Sequence, residues 1–268
     1  MRILNRIAGI EGISDGATPR IKFQVNRRYH AIKFFATVDG VATAAGTVID
    51  RVRQYVNGTT IRDVSVANML KIAELNGVTP ATGELPIQYS EAWRADKVDE
   101  QLLAWDMFGE STFEIELVMA ADSGGTPGVT GVVAFDYGQS LVGGKPVKNI
   151  IRQIEVSKNS LAGLNDFDNI PVRDPIQRIL LKSAQTINSV EVTADRNKVY
   201  EVKKAENARF LADYGLVSTA FEFPVCFDFT EQVIGDALVV QKDLNVRFDL
   251  AVATGVTAVV ESRANGFG

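Results

Sequence analysis

The sequence predicts an all-β fold made of two tandem copies of one β-rich module, each copy with one short helix. Three observations predict it: most periodic segments alternate with period two, only two segments have helical periodicity, and those two belong to an internal repeat. Alternation is typical of half-buried antiparallel strands, because successive side chains of a strand point to opposite faces. Many short strands separated by turn signals favour a sandwich or a barrel.

The strands are clearest in residues 113–119 and 246–252, where apolar residues occupy every second position and mostly polar residues lie between them. The other β-rich runs are 20–25, 31–38, 47–56, 61–64, 150–156, 178–182 and 190–193. Because these runs occur in both halves, strands are expected to dominate the whole chain.

The first predicted helix spans residues 65–76, where apolar residues recur at i, i+3, i+4 and i+7, and the second spans 203–214, where apolar residues make a similar face. Ser65 is suited to the N-cap of the first helix, and Gly77 to the left-handed residue that ends it. Gly215 ends the second helix in the same way. The two predicted helices therefore have the same length and the same terminal residue.

An internal repeat relates residues 49–89 to 187–227 by a shift of 138 positions without a gap. The shared unit is strand, Asn or Asp turn, strand, helix, glycine and a further strand. A second match, at a slightly smaller shift, relates 113–117 to 246–250 and 128–133 to 255–260. The seven identical pairs of the first match are Ile49/Ile187, Val52/Val190, Val64/Val202, Ala67/Ala205, Gly77/Gly215, Glu84/Glu222 and Pro86/Pro224.

Each copy is predicted to be an eight-stranded jelly roll. Eight strands of about 5–6 residues with connections of about 4–6 need about 75–95 residues, and a helix and longer loops fill the rest of each half. A seven-stranded immunoglobulin-like sandwich also fits the length but would not place a helix at the same point of both copies. The predicted organisation is an N-terminal arm (1–15), a first jelly roll (16–140), a linker near 138–148, and a second jelly roll with a short tail (148–268).

Composition excludes several function classes. The chain has 268 residues, 46% of them hydrophobic, and a net charge of −5. A protein that wraps duplex nucleic acid usually has a basic excess, so this balance argues against that role. Cys226 and His30 are the only cysteine and histidine, which excludes an intrachain disulfide and sites that need several His or Cys ligands, including the metal site of a cupin-type enzyme. No apolar run approaches the length of a transmembrane helix, and the N terminus is not typical of a secretory signal.

Candidate catalytic groups are better explained as structural. Glu114 and Glu116 lie on one strand face about 6.8 Å apart, a spacing that an inverting glycosidase could use, but a solvated polar face is the favoured interpretation. His30 is interpreted as a surface histidine at the start of a strand. Ser14 is the centre of a G-x-S-x-G match in a Gly-rich segment, without the strand and helix that a nucleophile elbow needs. Cys226 is expected to be a buried small hydrophobe.

Three further segments have two interpretations each. Residues 165–169 (NDFDN) could hold Ca²⁺ but lack the spacing of an EF-hand, so a plain turn and no cofactor are expected. The Gly-rich runs 123–131 and 143–146 do not match a phosphate-binding loop and are expected to be a loop and part of the linker. In the N-terminal arm, Ile3, Leu4, Ile7 and Ile10 have helical spacing, so the arm could rest on an anionic bilayer, pack under a neighbouring subunit or fray.

Two tandem β modules of this kind resemble the double jelly-roll major capsid proteins of icosahedral viruses with an internal membrane, in particular the corticovirus type. The resemblance is carried by residues 187–215, 170–181 and 257–267 and by the overall length. It implies a structural, non-enzymatic protein of the virion of a bacteriophage or prophage, assembled in the host cytoplasm. The implied partners are two further copies in a homotrimer, neighbouring capsomers, a vertex (penton) protein and the inner viral membrane or its proteins, with no direct contact to nucleic acid.

The alternative is a tandem β-sandwich that binds carbohydrate or attaches to a host. Such a protein would be expected to expose clustered aromatic side chains for stacking on sugars. Trp93 and Trp105 are the only tryptophans and both lie in the first half, which counts against this alternative.

Overall fold

A computed structural model describes residues 1–91, 97–142, 145–228 and 237–267. The chain divides into two units, the first formed by Met1–Ala73, Val78–Ile151 and the C-terminal residues from Ala264 on, the second by Glu74–Gly77 and Arg152–Arg263. Each unit is described by itself below.

The first unit contains two antiparallel sheets. One has the order β1-β10-β3-β7, with the short strands β4 and β8 also beside β3, and the other has the order β2-β9-β5-β6. The first residues of β13 lie beside β6. The elements are β1 (Ile3–Arg6), β2 (Arg20–Phe23), β3 (Arg28–Val38), β4 (Val41–Ala42), α1 (Ala45–Val48), β5 (Ile49–Val56), β6 (Thr59–Ser65), α2 (Val66–Leu75), β7 (Glu84–Gln88), α3 (Lys97–Leu102), β8 (Trp105–Asp106), β9 (Phe113–Met119), β10 (Pro127–Asp136), β11 (Leu141–Val142), β12 (Lys145–Pro146) and β13 (Asn149–Ser160).

The second unit also has two four-stranded sheets, in the orders β13-β20-β15-β18 and β14-β19-β16-β17. Its elements after β13 are β14 (Gly163–Phe167), β15 (Ile176–Ser183), β16 (Ile187–Ala194), β17 (Asn197–Lys203), α4 (Lys204–Asp213), a 3₁₀ turn (Ser218–Ala220), β18 (Phe223–Cys226), β19 (Leu244–Leu250) and β20 (Thr254–Asn265). Buried apolar side chains from both sheets form its core, with Phe167, Phe223 and Phe248 the largest.

The predicted fold of two eight-stranded jelly rolls is confirmed by the strand order. When the eight main strands of each unit are numbered along the chain, both units have one sheet in the order 1-8-3-6 and the other in the order 2-7-4-5. This arrangement brings strands far apart in sequence together, as expected of a jelly roll. The first unit differs from the prediction of one helix per copy, because it also contains the short helices α1 and α3.

The internal repeat is visible residue by residue. Strands β5 and β16 both have eight residues, with the first, fourth, sixth and eighth buried. The turns that follow place Asn57 and Asp195 at φ of 50° and 49°. Helices α2 and α4 both have ten residues, and Gly77 and Gly215 lie two residues after their ends with φ of 72° and 73°. Glycine adopts this left-handed conformation without the steric cost of a Cβ, so both helices stop at the same point.

The N-terminal segment differs from its prediction. Predicted as an arm with helical spacing, it contains strand β1, which pairs with β10 from Ile3↔Phe135 to Arg6↔Val132. It thus supplies the first strand of the jelly roll that was predicted to begin at residue 16. Pairing with a distant strand, which local periodicity does not encode, decides the conformation.

The segment predicted as a linker contains the short paired strands β11 and β12, and residues 143–144 of its Gly-rich run lie outside the described residues.

Candidate functional site

His30 belongs to a buried ion cluster and not to the surface. It lies in β3 with 2% of its area exposed, and its Nε2 is 2.9 Å from Oδ2 of Asp136 on the neighbouring strand β10. Arg28 donates to both oxygens of the same carboxylate, at 3.1 and 2.8 Å, and the backbone N–H of Gly138 donates at 2.8 Å. The prediction of a surface histidine is therefore wrong, because the ring is buried and its Nε2 contacts a carboxylate across the strand pair.

The electrostatics of this cluster favour the neutral form of the imidazole. Burial lowers the pKa of His30 more than the hydrogen bond to Asp136 raises it. Burial acts to raise the pKa of Asp136, but hydrogen bonds from Arg28 and His30 outweigh it and bring that pKa down to about 2. The cluster of Arg28, His30 and Asp136 is thus a structural contact.

Ser14 is exposed in a turn closed by the N–H of Ala17, with neither a strand directly before it nor a helix directly after it. The nucleophile elbow that Ser14 would need is therefore not formed.

The two carboxylates of β9 lie in an ion-pair network. Glu116 is 5% exposed and accepts hydrogen bonds from Arg20 at 2.7 Å and from Arg53 at 2.9 Å. Lys22 lies 3.9 Å from Glu114. Burial acts to raise the pKa of Glu116, but the two arginines lower it overall, so this carboxyl stays ionised and is poorly suited to act as a general acid. The prediction of a solvated face is wrong for Glu116, because arginines on both neighbouring strands cover it.

The corresponding face of the second unit carries charges in a different order. Arg247, which occupies the position of Glu114 in the repeat, donates to Asp166 at 3.0 Å. Asp166 and Phe167 lie in strand β14, and Phe167 is fully buried, so the interpretation of residues 165–169 as a turn is wrong for the first three of them. Among the described residues no group of three or more His, Cys, Asp or Glu side chains could hold a metal ion.

Cys226 is fully buried in β18, as predicted. Burial raises the pKa of its thiol well above the ordinary value, so the sulfur is held protonated and is a poor nucleophile.

A second buried cluster, around Arg178, was missed by the sequence reasoning. Arg178 makes three contacts of 2.7–3.0 Å with the carboxylate of Asp228 and one of 2.9 Å with Oδ1 of Asn76, and Glu261 lies 3.7 Å away. All of these side chains are buried. The available signal was an arginine followed directly by the apolar residues Ile179, Leu180 and Leu181 in β15, since a charge buried among such residues requires a partner.

Trp105 is not available for stacking on a sugar. Trp105 is fully buried and packs against Tyr89 with ring centroids 4.5 Å apart, so it cannot form an exposed stacking platform. Trp93 lies outside the described residues. No helix among the described residues is both long enough and apolar enough to span a membrane.

Two jelly rolls of one strand order in a single chain are the architecture of the double jelly-roll capsid proteins. Family models of the N-terminal and the C-terminal domain of viral coat protein P2 match residues 4–134 and 149–265. The chain therefore belongs to the viral coat protein P2 family. It is a major capsid protein and part of the virion, structural and not enzymatic, and its resemblance to the corticovirus type is confirmed.

Comparison with solved structures supports the fold. The major capsid protein P2 of bacteriophage PM2 is similar to this chain with 19% identity and a TM-score of 0.83, over 98% of this chain and 97% of that one. A chain in the atomic structure of Sulfolobus turreted icosahedral virus has 11% identity and a TM-score of 0.71, over 99% and 91%. The Faustovirus major capsid protein has 6% identity and a TM-score of 0.68, over 98% and 90%. No curated protein sequence matches the chain significantly.

Proposed function

We propose that the chain assembles into homotrimers in which six jelly rolls form a pseudo-hexagonal capsomer. The observation that carries this proposal is the identical strand order of the two units, because three chains then present six modules of one architecture. A ring of three needs only one heterologous contact, repeated three times, to close. Six similar modules around a three-fold axis give a near-hexagonal outline, which suits the tiling of a curved shell.

The proposed capsomers contact one another across the shell and meet a separate vertex (penton) protein where the lattice has five-fold symmetry. We further propose that the shell encloses a membrane, which separates it from the genome. The net charge of −5 supports this arrangement, because a shell that does not touch nucleic acid needs no excess of phosphate-binding side chains. The proposal includes no cofactor, and residues 165–169 are proposed to work without Ca²⁺.

Light scattering on the purified protein tests the trimer. The expected mass is three times that of the 29.2 kDa chain, unchanged over a range of concentration and salt. A monomer under all these conditions, with no particles in negative-stain images of the producing host, would overturn the proposal. Lipid extraction from purified particles, with detergent-washed particles as the control, tests the membrane.

A further inference from the structure

Strand β17 ends the sheet β14-β19-β16-β17, and among the described residues its outer edge has no partner, whereas its counterpart β6 has a neighbour. In the first unit the beginning of β13 lies beside β6, and Arg62 of β6 donates to the carbonyl oxygen of Ile151 in β13 at 3.4 Å. β17 occupies the same place in the repeat as β6. Within the described part of the chain, however, β17 pairs only with β16.

Exposure supports this difference between the two edges. Residues 197–199 of β17 are all exposed, and Val199 keeps 41% of its area in solvent. In β6 the corresponding Ile61 is 1% exposed. The backbone of an open strand edge presents unpaired N–H and C=O groups, and an apolar side chain at that edge adds a hydrophobic contact. Together they favour the addition of another strand.

The helix next to this edge, α4, also has large exposed side chains. Phe210 and Tyr214 of α4 are 49% and 42% exposed, and their ring centroids are 5.5 Å apart. Their counterparts in the repeat, Ile72 and Asn76, are each 8% exposed. The two helices have the same length and place in the repeat, so α4 exposes a face that α2 keeps buried.

The strand that matches β13 in the repeat is β1, and it too has an open edge. β13 is the first strand of its jelly roll and lies beside β20, and β1 is the first strand of the other jelly roll and pairs with β10. No strand within the described ranges pairs with the other edge of β1. Leu4 on β1 is 71% exposed. In the described part of the chain, the counterparts of β6 and β13, which are β17 and β1, therefore each have an edge without a partner strand.

We infer that the open edge of β17, together with the exposed face of α4, receives strand β1 of a second copy of the chain. The contact reproduces between copies the neighbour relation that β6 has with β13. It is heterologous, since β17 of one copy meets β1 of the next, and three such contacts close a ring. The inference rests on the proposed trimer and assigns it a contact surface.

Disulfide trapping between two differently tagged chains tests this contact. One chain carries Leu4→Cys, and in the other each residue of β17 is changed to cysteine in turn, which samples every register. Facing Cβ atoms of neighbouring strands lie about 4.5–5.5 Å apart, near the range of about 3.5–4.5 Å that a disulfide needs. Val252→Cys, at a 52% exposed position outside the strands, is the matched control. The native Cys226 is buried and stays silent.

The expected result is a two-chain disulfide product with at least one β17 position, none with the Val252→Cys chain, and a native trimer mass by light scattering in every mixture. A trimer that gives no product with any β17 position would overturn this inference and leave the trimer standing. A chain that is monomeric throughout would overturn the trimer itself. A Leu4→Cys, Val199→Cys double variant that crosslinks only within single chains would also overturn the inference.

Discussion

The buried cluster of the second unit gives the sharpest prediction about stability. Asp228→Asn removes the charge that faces Arg178, whose guanidinium is otherwise buried with Glu261 at 3.7 Å. Removing one member of a buried pair costs about 3–5 kcal/mol. Because Glu261 still faces the guanidinium, we expect the low end, about 3 kcal/mol. Arg178→Met should cost more, since it leaves two buried carboxylates without this cation.

Urea unfolding followed by circular dichroism measures these losses as changes in the free energy of unfolding. The matched control is Asp166→Asn, which removes an Asp–Arg contact of 3.0 Å at the surface, where the two side chains are 39% and 46% exposed. An exposed pair contributes about 0–1 kcal/mol. Equal losses for Asp228→Asn and Asp166→Asn, or a smaller loss for Arg178→Met than for Asp228→Asn, would refute the reasoning.

Three further predictions concern acid, the helix ends and the thiol. The folded pKa of His30 lies below its unfolded value, so its contribution to stability is complete above that value and declines as the pH falls below about 6.5. Asp136 contributes above pH 3.8 and loses this contribution as the pH falls towards 2, so the free energy of unfolding of Asp136→Asn should approach that of wild type over this range; a constant difference would contradict this. Gly77→Ala and Gly215→Ala should each cost about 1 kcal/mol in urea unfolding, because a Cβ at either site meets no atom within 4 Å and only the left-handed backbone is strained. Cys226 should react with a thiol reagent only at the rate of unfolding, and rapid labelling of the folded protein would contradict its burial.

The fold could be predicted because the repeat and the alternation are local signals. Strands β5 and β16 show the same spacing of buried residues, although only Ile49/Ile187 and Val52/Val190 are identical between them. A sandwich core requires apolar residues at alternate positions and tolerates many choices at each, so the pattern outlasts the identities. The helix ends could be predicted for the same reason, since a left-handed residue at that point needs glycine.

The side-chain clusters could not be predicted, because they join residues distant in sequence. His30 and Asp136 meet only through the pairing of β3 with β10, and Arg178 meets Asp228 and Asn76 only in the folded second unit. The same holds for β1, whose four residues form a strand because β10 offers an edge. Alternation tells which residues share a face of a strand, but not which strand lies opposite.

Carrying both jelly rolls on one polypeptide has a genetic consequence. In a shell built from a single-module protein, a mutation in the gene changes every module of the shell. Here the two modules are encoded separately within one gene, so each accumulates substitutions independently of the other. Corresponding positions of the two modules already differ: Glu114 corresponds to Arg247, and Ile72 to Phe210. Both modules are also always made in equal number, so selection can give each its own neighbours without regulating two genes.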